Sequence, residues 1–138
     1  MNHIATVQQI YEDFGHGDVP AILEKLAEDV EWETPPTSGG DAGVPWLAPR
    51  TGREGVGEFF ASLGALDFRR FEPRAFLEGP AQVAVVVGLE ATVKASGHTF
   101  ADEEIHLWTF DDDGQVSSFR HVVDTAKHIE AARSAVAA

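Results

Sequence analysis

The stretch EEIHLWTF, residues 103–110, holds the side chains best suited to chemistry. Alternation along a strand would place Glu104, His106 and Trp108 on one face and Ile105, Leu107 and Thr109 on the other. A carboxylate, an imidazole and an indole do not make an ordinary solvent face; they suit the wall of a wet cavity. A second histidine, His121, follows in the next strand-like run. An imidazole titrates near pH 6.5, about where cells work, so either ring could take and return a proton. On this reading His121 is the principal acid/base, His106 its partner and Glu90 the carboxylate that orients or charges them. Glu104 could serve the same end, or form only a strand-to-strand pair. Two histidines bonded to their neighbours for structural reasons remain the alternative. Trp32, Thr34, Trp46, Phe59, Glu104, Trp108 and Phe119 are the candidate substrate-binding residues, because aromatic walls with a few polar groups hold small ligands. His3, His16 and His98 fall at a terminus or in turns and are expected at the surface. No clustered ligand set stands out for a metal, and neither a metal nor a cofactor is expected.

The elements that must position these groups can be read from spacing. Ile4, Val7, Ile10, Tyr11 and Phe14 recur at helical intervals, and Gly15 and Gly17 stop that helix. Asp18 before Val19 and Pro20 predicts a cap and a short second helix running through AILEKLAE. VEWET, residues 30–34, alternates as a strand, and residues 35–49 form a proline-rich loop, with Trp46, of the length that often acts as a lid. Residues 52–66 read as a third helix with Val56, Phe59, Phe60 and Leu63 on one face. Strand-like runs follow at 68–78, 82–95, 99–110 and 115–124, parted by EGP, ASGH and DDDG turns, and an alanine-rich helical tail closes the chain. Asp124 is placed to cap that tail helix.

Helices first and an antiparallel sheet afterwards is the α+β pattern, with one concave sheet face left as a pocket. A chain of 138 residues with 43% hydrophobic content suits a single domain over residues 1–138. The balance of 23 acidic to 10 basic residues, net −13, disfavours nucleic acid and anionic membranes as partners and leaves a small-molecule ligand. With no cysteine, thiolate chemistry and disulfides are excluded. The opening MNHIATVQQ lacks an export pattern, so a cytoplasmic protein is expected.

The order of elements, with GHGDVPAILEKLAEDVEWETPP and FDDDGQVSSFRHVVDT, resembles the SnoaL-like branch of the nuclear-transport-factor-2-like superfamily. The resemblance covers nearly the whole chain and implies a cone-shaped α+β fold, a curved antiparallel sheet and N-terminal helices enclosing one pocket. It implies no single reaction, since one fold hosts many. In the ketosteroid isomerases of this superfamily a tyrosine, an aspartate base and a protonated aspartate act together. Those positions fall on Ile10, Thr34 and His106, so that mechanism does not carry over. The aspartate of SnoaL-like cyclases falls on His121. The two aspartates of the epoxide hydrolases fall on His121 and Glu90, but the arginine between them falls on Gly88, which leaves that relay incomplete.

The hairpin at DDDG decides whether His106 and His121 share a face. A four-residue loop puts Glu104 opposite His121; a three-residue loop with a bulge puts His106 opposite Arg120 and sends His121 to the other face. The family pattern favours the first. The reverse face of the long strand would then read Val83, Val85, Val87, Leu89, Ala91 and Val93, an apolar surface that predicts a sheet-to-sheet homodimer. The expected function is cofactor-free acid/base catalysis of isomerase, cyclase or hydrolase type on a small apolar oxygenated metabolite. A non-catalytic small-molecule binder is the alternative, and a bare scaffold would have its pocket filled by side chains.

Overall fold

The computed structural model describes residues 2–34 and 43–133. Helix α1 spans His3–Gly15, and the Asn2 side chain caps it by accepting from the Ala5 N–H at 3.0 Å. Gly17, at φ 71°, supplies the left-handed turn that releases the chain toward α2, Val19–Glu24. Asp18 caps α2, but this helix ends sooner than its sequence implies. Lys25 pairs with Asp13 at 2.9 Å, and strand β1, Leu26–Glu33, starts at once with Leu26, Ala27 and Val30 buried. Burial along a sheet has overridden the helical propensity of KLAE.

After a short 3-10 turn at Pro45–Leu47 comes β2, Arg50–Thr51, too short for sequence periodicity to detect. Helix α3 covers Gly52–Ser62 and buries Val56 and Phe59. Then β3 (Leu66–Glu78), β4 (Gln82–Val93), β5 (Thr99–Phe110) and β6 (Val116–Val122) form a meander, and α4 (Thr125–Arg133) follows. The Asp124 carboxylate accepts from the Lys127 N–H at 3.3 Å, so it does cap α4.

The six strands lie in the order β2-β1-β6-β5-β4-β3. All neighbours are antiparallel except β1 and β6, which are parallel. The sheet is therefore curved, unclosed and mixed, not purely antiparallel. No described helix is long and apolar enough to cross a membrane.

Two sequence expectations about the sheet are corrected. The β5–β6 hairpin takes neither register: Phe110 pairs with Val116, and beyond a bulge His106 pairs directly with His121. The turn is longer because Asp111 Oδ1 accepts from the N–H groups of Asp113 and Gln115, both at 3.0 Å, and Gly114 takes φ 79°. The shift from the four-residue register is two residues, so the two histidines still share a face. Strand β4 faces the other way from the expectation. Val83, Val85, Val87, Leu89, Ala91 and Val93 are all buried under the helices, pairing with the concave side of β5. Glu90 and Gly88 therefore lie on the outer face, where the Arg74 guanidinium covers Gly88. Burying alternate apolar residues outweighs placing one carboxylate in the pocket.

Candidate active site

Helices α1, α2, α3 and α4 close over the concave face around a small cavity of about 60 Å³. Its walls are aromatic: Tyr11 and Phe14 from α1, Phe59 and Phe60 from α3, Phe68 and Phe71 from β3, with Trp32, Trp46, Trp108 and Phe119. The polar groups gather on β5 and β6, where Glu104, His106 and His121 line the same cavity, joined by His128 from α4.

Strand alternation brings the first two together, and cross-strand pairing brings in the third. Nε2 of His106 and Nε2 of His121 each lie 3.0 Å from one oxygen, Glu104 Oε1. Both nitrogens carry hydrogen, since a carboxylate can only accept. Burial pushes the Glu104 carboxyl up, but the attraction of His121 when that ring is protonated, with the hydrogen bonding of His106, His121 and His128, outweighs it and holds the carboxyl well below the usual range. Glu104, 1% exposed, is thus an ionised group at the floor of the cavity.

The two rings differ in what their other nitrogen meets. His106 Nδ1 lies 2.6 Å from the Tyr11 hydroxyl, which itself accepts from Trp108 Nε1–H at 3.2 Å. Burial raises the Tyr11 phenol far above its ordinary value, so it stays protonated and donates to Nδ1. Burial also dominates at His106 and, despite Glu104, leaves its pKa below the ordinary value, so the ring is neutral. Every polar atom of His106 is consumed in the run Trp108, Tyr11, His106, Glu104. His121 Nδ1, by contrast, has no partner among the described residues.

Behind this pair sits a second cluster. His128 Nε2 donates to Asp102 Oδ2 at 3.0 Å and lies 3.4 Å from Glu104 Oε2, which is left without a hydrogen bond. Trp46 Nε1–H donates to His128 Nδ1 at 3.0 Å. Burial opposes a charge on His128, but Asp102 and Glu104 prevail and its pKa is raised. A second proton would have to displace Trp46, because Nδ1 is already an acceptor.

Glu104 with His106 and His121, and Asp102 with Glu104 and His128, are each compact enough to hold a metal ion. Neither cluster was legible in the residue spacing. Their second contacts suit protons better than a metal. A metal-bound imidazole must carry hydrogen on its other nitrogen and needs an acceptor there. His106 and His128 instead meet donors on Nδ1, the Tyr11 hydroxyl and the Trp46 indole.

Of the sequence candidates, His121, His106, Glu104, Trp32, Trp46, Phe59, Trp108 and Phe119 come together on the cavity. Glu90 is on the outer sheet face, for the reason given above, and Thr34 does not line the cavity. Trp46 faces the cavity, bonded to His128; the lid expectation for residues 35–49 also covers 35–42, which lie outside the described residues. Tyr11, Asp102 and His128 were missed as site residues. Tyr11 follows directly after Ile10, onto which the isomerase tyrosine had fallen, and Asp102 shares the alternation of Glu104 and His106.

Residues 7–119 match the SnoaL-like domain, and the chain belongs to that family. No curated protein matches it in sequence. Among solved structures, an NTF2-like protein of unknown function from Burkholderia pseudomallei is 26% identical, with a TM-score of 0.82 over 95% of this chain and 97% of that one. TerC, crystallised with polyporic acid, is 28% identical, with a TM-score of 0.75 over 94% and 96%. SalBIII, an epoxide hydrolase/cyclase-like enzyme of pyran ring formation in salinomycin, shares the fold at 20% identity, with a TM-score of 0.70 over 91% and 92%.

Proposed function

We propose that this SnoaL-like chain is a cofactor-free acid/base enzyme of isomerase, cyclase or hydrolase type, acting on a small apolar oxygenated metabolite. One observation carries the reading: of two imidazoles that line the cavity and bond to the same oxygen of Glu104, only His121 keeps a ring nitrogen without a partner among the described residues. His121 Nδ1 takes a proton from the substrate, becomes an imidazolium, and later returns the proton to a different atom. Ionised Glu104 holds the ring through Nε2–H and stabilises the charge that forms, as a buried carboxylate does behind a catalytic histidine. His106 and Tyr11 are positioning residues that fix the Glu104 carboxylate from the far side. Glu90, on the outer face, has no part. That TerC, at 28% identity, was co-crystallised with polyporic acid supports a small-molecule ligand for this chain.

Binding without turnover is the second reading, favoured by the closed bonding of His106 and His128. Mass-spectrometric capture of bound metabolites, followed by turnover of the hit, separates the two. Under the proposal His121→Gln loses turnover by about 10²- to 10⁴-fold while still binding, the usual range for a lost acid/base group. Full turnover in that variant would end the proposal, and a hit that no form of the protein converts would favour the binder. The chain is further proposed to form a homodimer through the outer sheet face. There Ala84, Val86, Ile105 and Leu107 are half-buried and Val122 is 43% exposed. Light scattering showing a monomer would remove this.

A further inference from the structure

With room for about 60 Å³, the cavity is smaller than the roughly 150 Å³ that takes up benzene in an apolar interior, and far below the roughly 300 Å³ at which ligand pockets begin. A metabolite can enter only if part of the wall moves. Much of that wall is fixed: Trp32, Trp108 and Phe119 stand on paired strands, with Phe119 against Trp32 at 4.1 Å and against Trp108 at 4.5 Å. Trp46 is held differently. It stands on the three-residue turn Pro45–Leu47, closed by the Leu47 N–H on the Val44 carbonyl at 3.0 Å and the Ala48 N–H on the Pro45 carbonyl at 3.3 Å. Its indole N–H reaches across to α4 and donates to His128 Nδ1 at 3.0 Å. A side-chain hydrogen bond thus ties this turn to α4, and its acceptor is a group that titrates.

His128 Nδ1 accepts from Trp46 only while it carries no proton, because the ring's other hydrogen sits on Nε2 and points to Asp102 Oδ2 at 3.0 Å. A proton taken up from solvent turns Nδ1 into a donor facing a donor, and the indole must leave. The surroundings favour that proton. Burial opposes the charge, but Asp102 and Glu104, both from β5, outweigh it and raise the pKa. His106 and His121 bond to the other oxygen of Glu104, and the turn Pro45–Leu47 brings no titratable group. Asp124, Lys127, Glu130 and Arg133, beside His128 in sequence, are exposed.

We infer that Trp46 is a gate of the cavity, latched shut by neutral His128 and released when Nδ1 takes a proton. The indole then bonds to water, the turn Pro45–Leu47 loses its tie to α4, and the wall opens. This rests on the reading of the cavity as the ligand site and adds how entry to it is controlled. The coupling is reciprocal: a proton that breaks the latch must be bound more readily where the latch is missing.

Nitrogen-15 nuclear magnetic resonance of the full chain tests the latch. As pH falls, the Trp46 indole N–H resonance should move upfield with the same midpoint as the His128 ring. Its protection from solvent exchange should drop about 10-fold, roughly one hydrogen bond's worth. Trp46→Phe should raise the proton affinity of His128 by about 10-fold, which loss of packing alone would not do. Entry itself is read with N-phenyl-1-naphthylamine, a neutral fluorophore larger than benzene. It should associate with the unmodified protein about 10-fold faster once His128 is protonated, as the open form gains population. It should enter Trp46→Phe quickly at every pH and His128→Gln slowly at every pH, since the glutamine carbonyl accepts from Trp46 without titrating. Should either variant fold poorly, the Trp46 resonance of the unmodified protein answers alone. A Trp46 signal that stays in place while His128 titrates, a His128 that does not titrate, an unchanged His128 proton affinity in Trp46→Phe, or probe entry that ignores pH or does not occur would overturn the inference. Failure of the gate is thus read at Trp46 and His128, whereas failure of the acid/base reading is read from turnover by His121→Gln.

Discussion

Two arms leave Glu104 Oε1, each beginning with an imidazole at 3.0 Å, and they end differently. The His106 arm runs on through Tyr11 to Trp108 and closes, each donor matched to an acceptor. The His121 arm stops at a buried Nδ1 without a partner among the described residues. A closed run of buried hydrogen bonds gives rigidity, and leaving one of its members unpaired is costly. Under the proposed function, the open end in the same setting is the group that meets the ligand. Residue type, strand face and carboxylate partner are shared, so the next atom along decides what each histidine can do.

Removing the shared carboxylate should have the largest effect, because it breaks both arms. Glu104→Gln leaves His106 and His121 facing an amide, and chemical denaturation should show a loss of about 3 kcal/mol, as when one member of a buried charged network is removed. Turnover should fall with it. His121→Gln should separate the two quantities, with turnover lost and stability changed by less than about 1 kcal/mol, because the glutamine amide can still donate to Glu104 and the Nδ1 it removes has no partner among the described residues. If that variant proves as unstable as Glu104→Gln, the two arms are alike and the contrast fails. Tyr11→Phe should act in the opposite sense. It strands His106 Nδ1 and Trp108 Nε1 and should cost about 2 kcal/mol, while turnover changes little.

Smaller effects come from pH. The His106 pKa is depressed on folding, so the unfolded chain binds a proton below about 6.5 that the folded chain refuses, and stability falls as pH drops through that window. The Glu104 contribution is present above the ordinary carboxylate range and is lost only at lower pH, through its depressed value. His128 runs the other way: its contribution is complete below about 6.5 and is lost as pH rises through its raised value. Below about pH 6.5, where the His128 contribution is already complete, denaturation midpoints should therefore fall as pH drops, and His106→Gln should flatten the fall. Least affected should be Glu90→Gln, within about 0.5 kcal/mol and with full turnover, since Glu90 lies on the outer face away from both arms.

How much of this could be read from the chain differs by element. The alternation of EEIHLWTF placed Glu104, His106 and Trp108 on one face, because the period of a strand is fixed by its backbone. The pairing of His106 with His121 was out of reach, since it depends on a bulge and on side-chain bonds from Asp111 that no spacing rule reports. Strand β4 was turned over for a related reason: its valines and its glutamate alternate equally well with either side facing in, and only the apolar helices above it choose. His128 and Asp102 meet only because α4 folds back over β5, a tertiary contact without a local signal. The most visible histidine, His106 in the middle of the motif, turned out to be the one whose nitrogens are both bonded.

The most direct test is nitrogen-15 nuclear magnetic resonance of the histidine rings in the unmodified protein, with and without bound ligand. The account predicts that His106 is fixed as its Nε2–H tautomer and does not respond, while the Nδ1 resonance of His121 moves when ligand enters the cavity. A response at His106 with His121 silent, or a His121 ring whose Nδ1 is already bonded in the free protein, would contradict the assignment of the proton to His121.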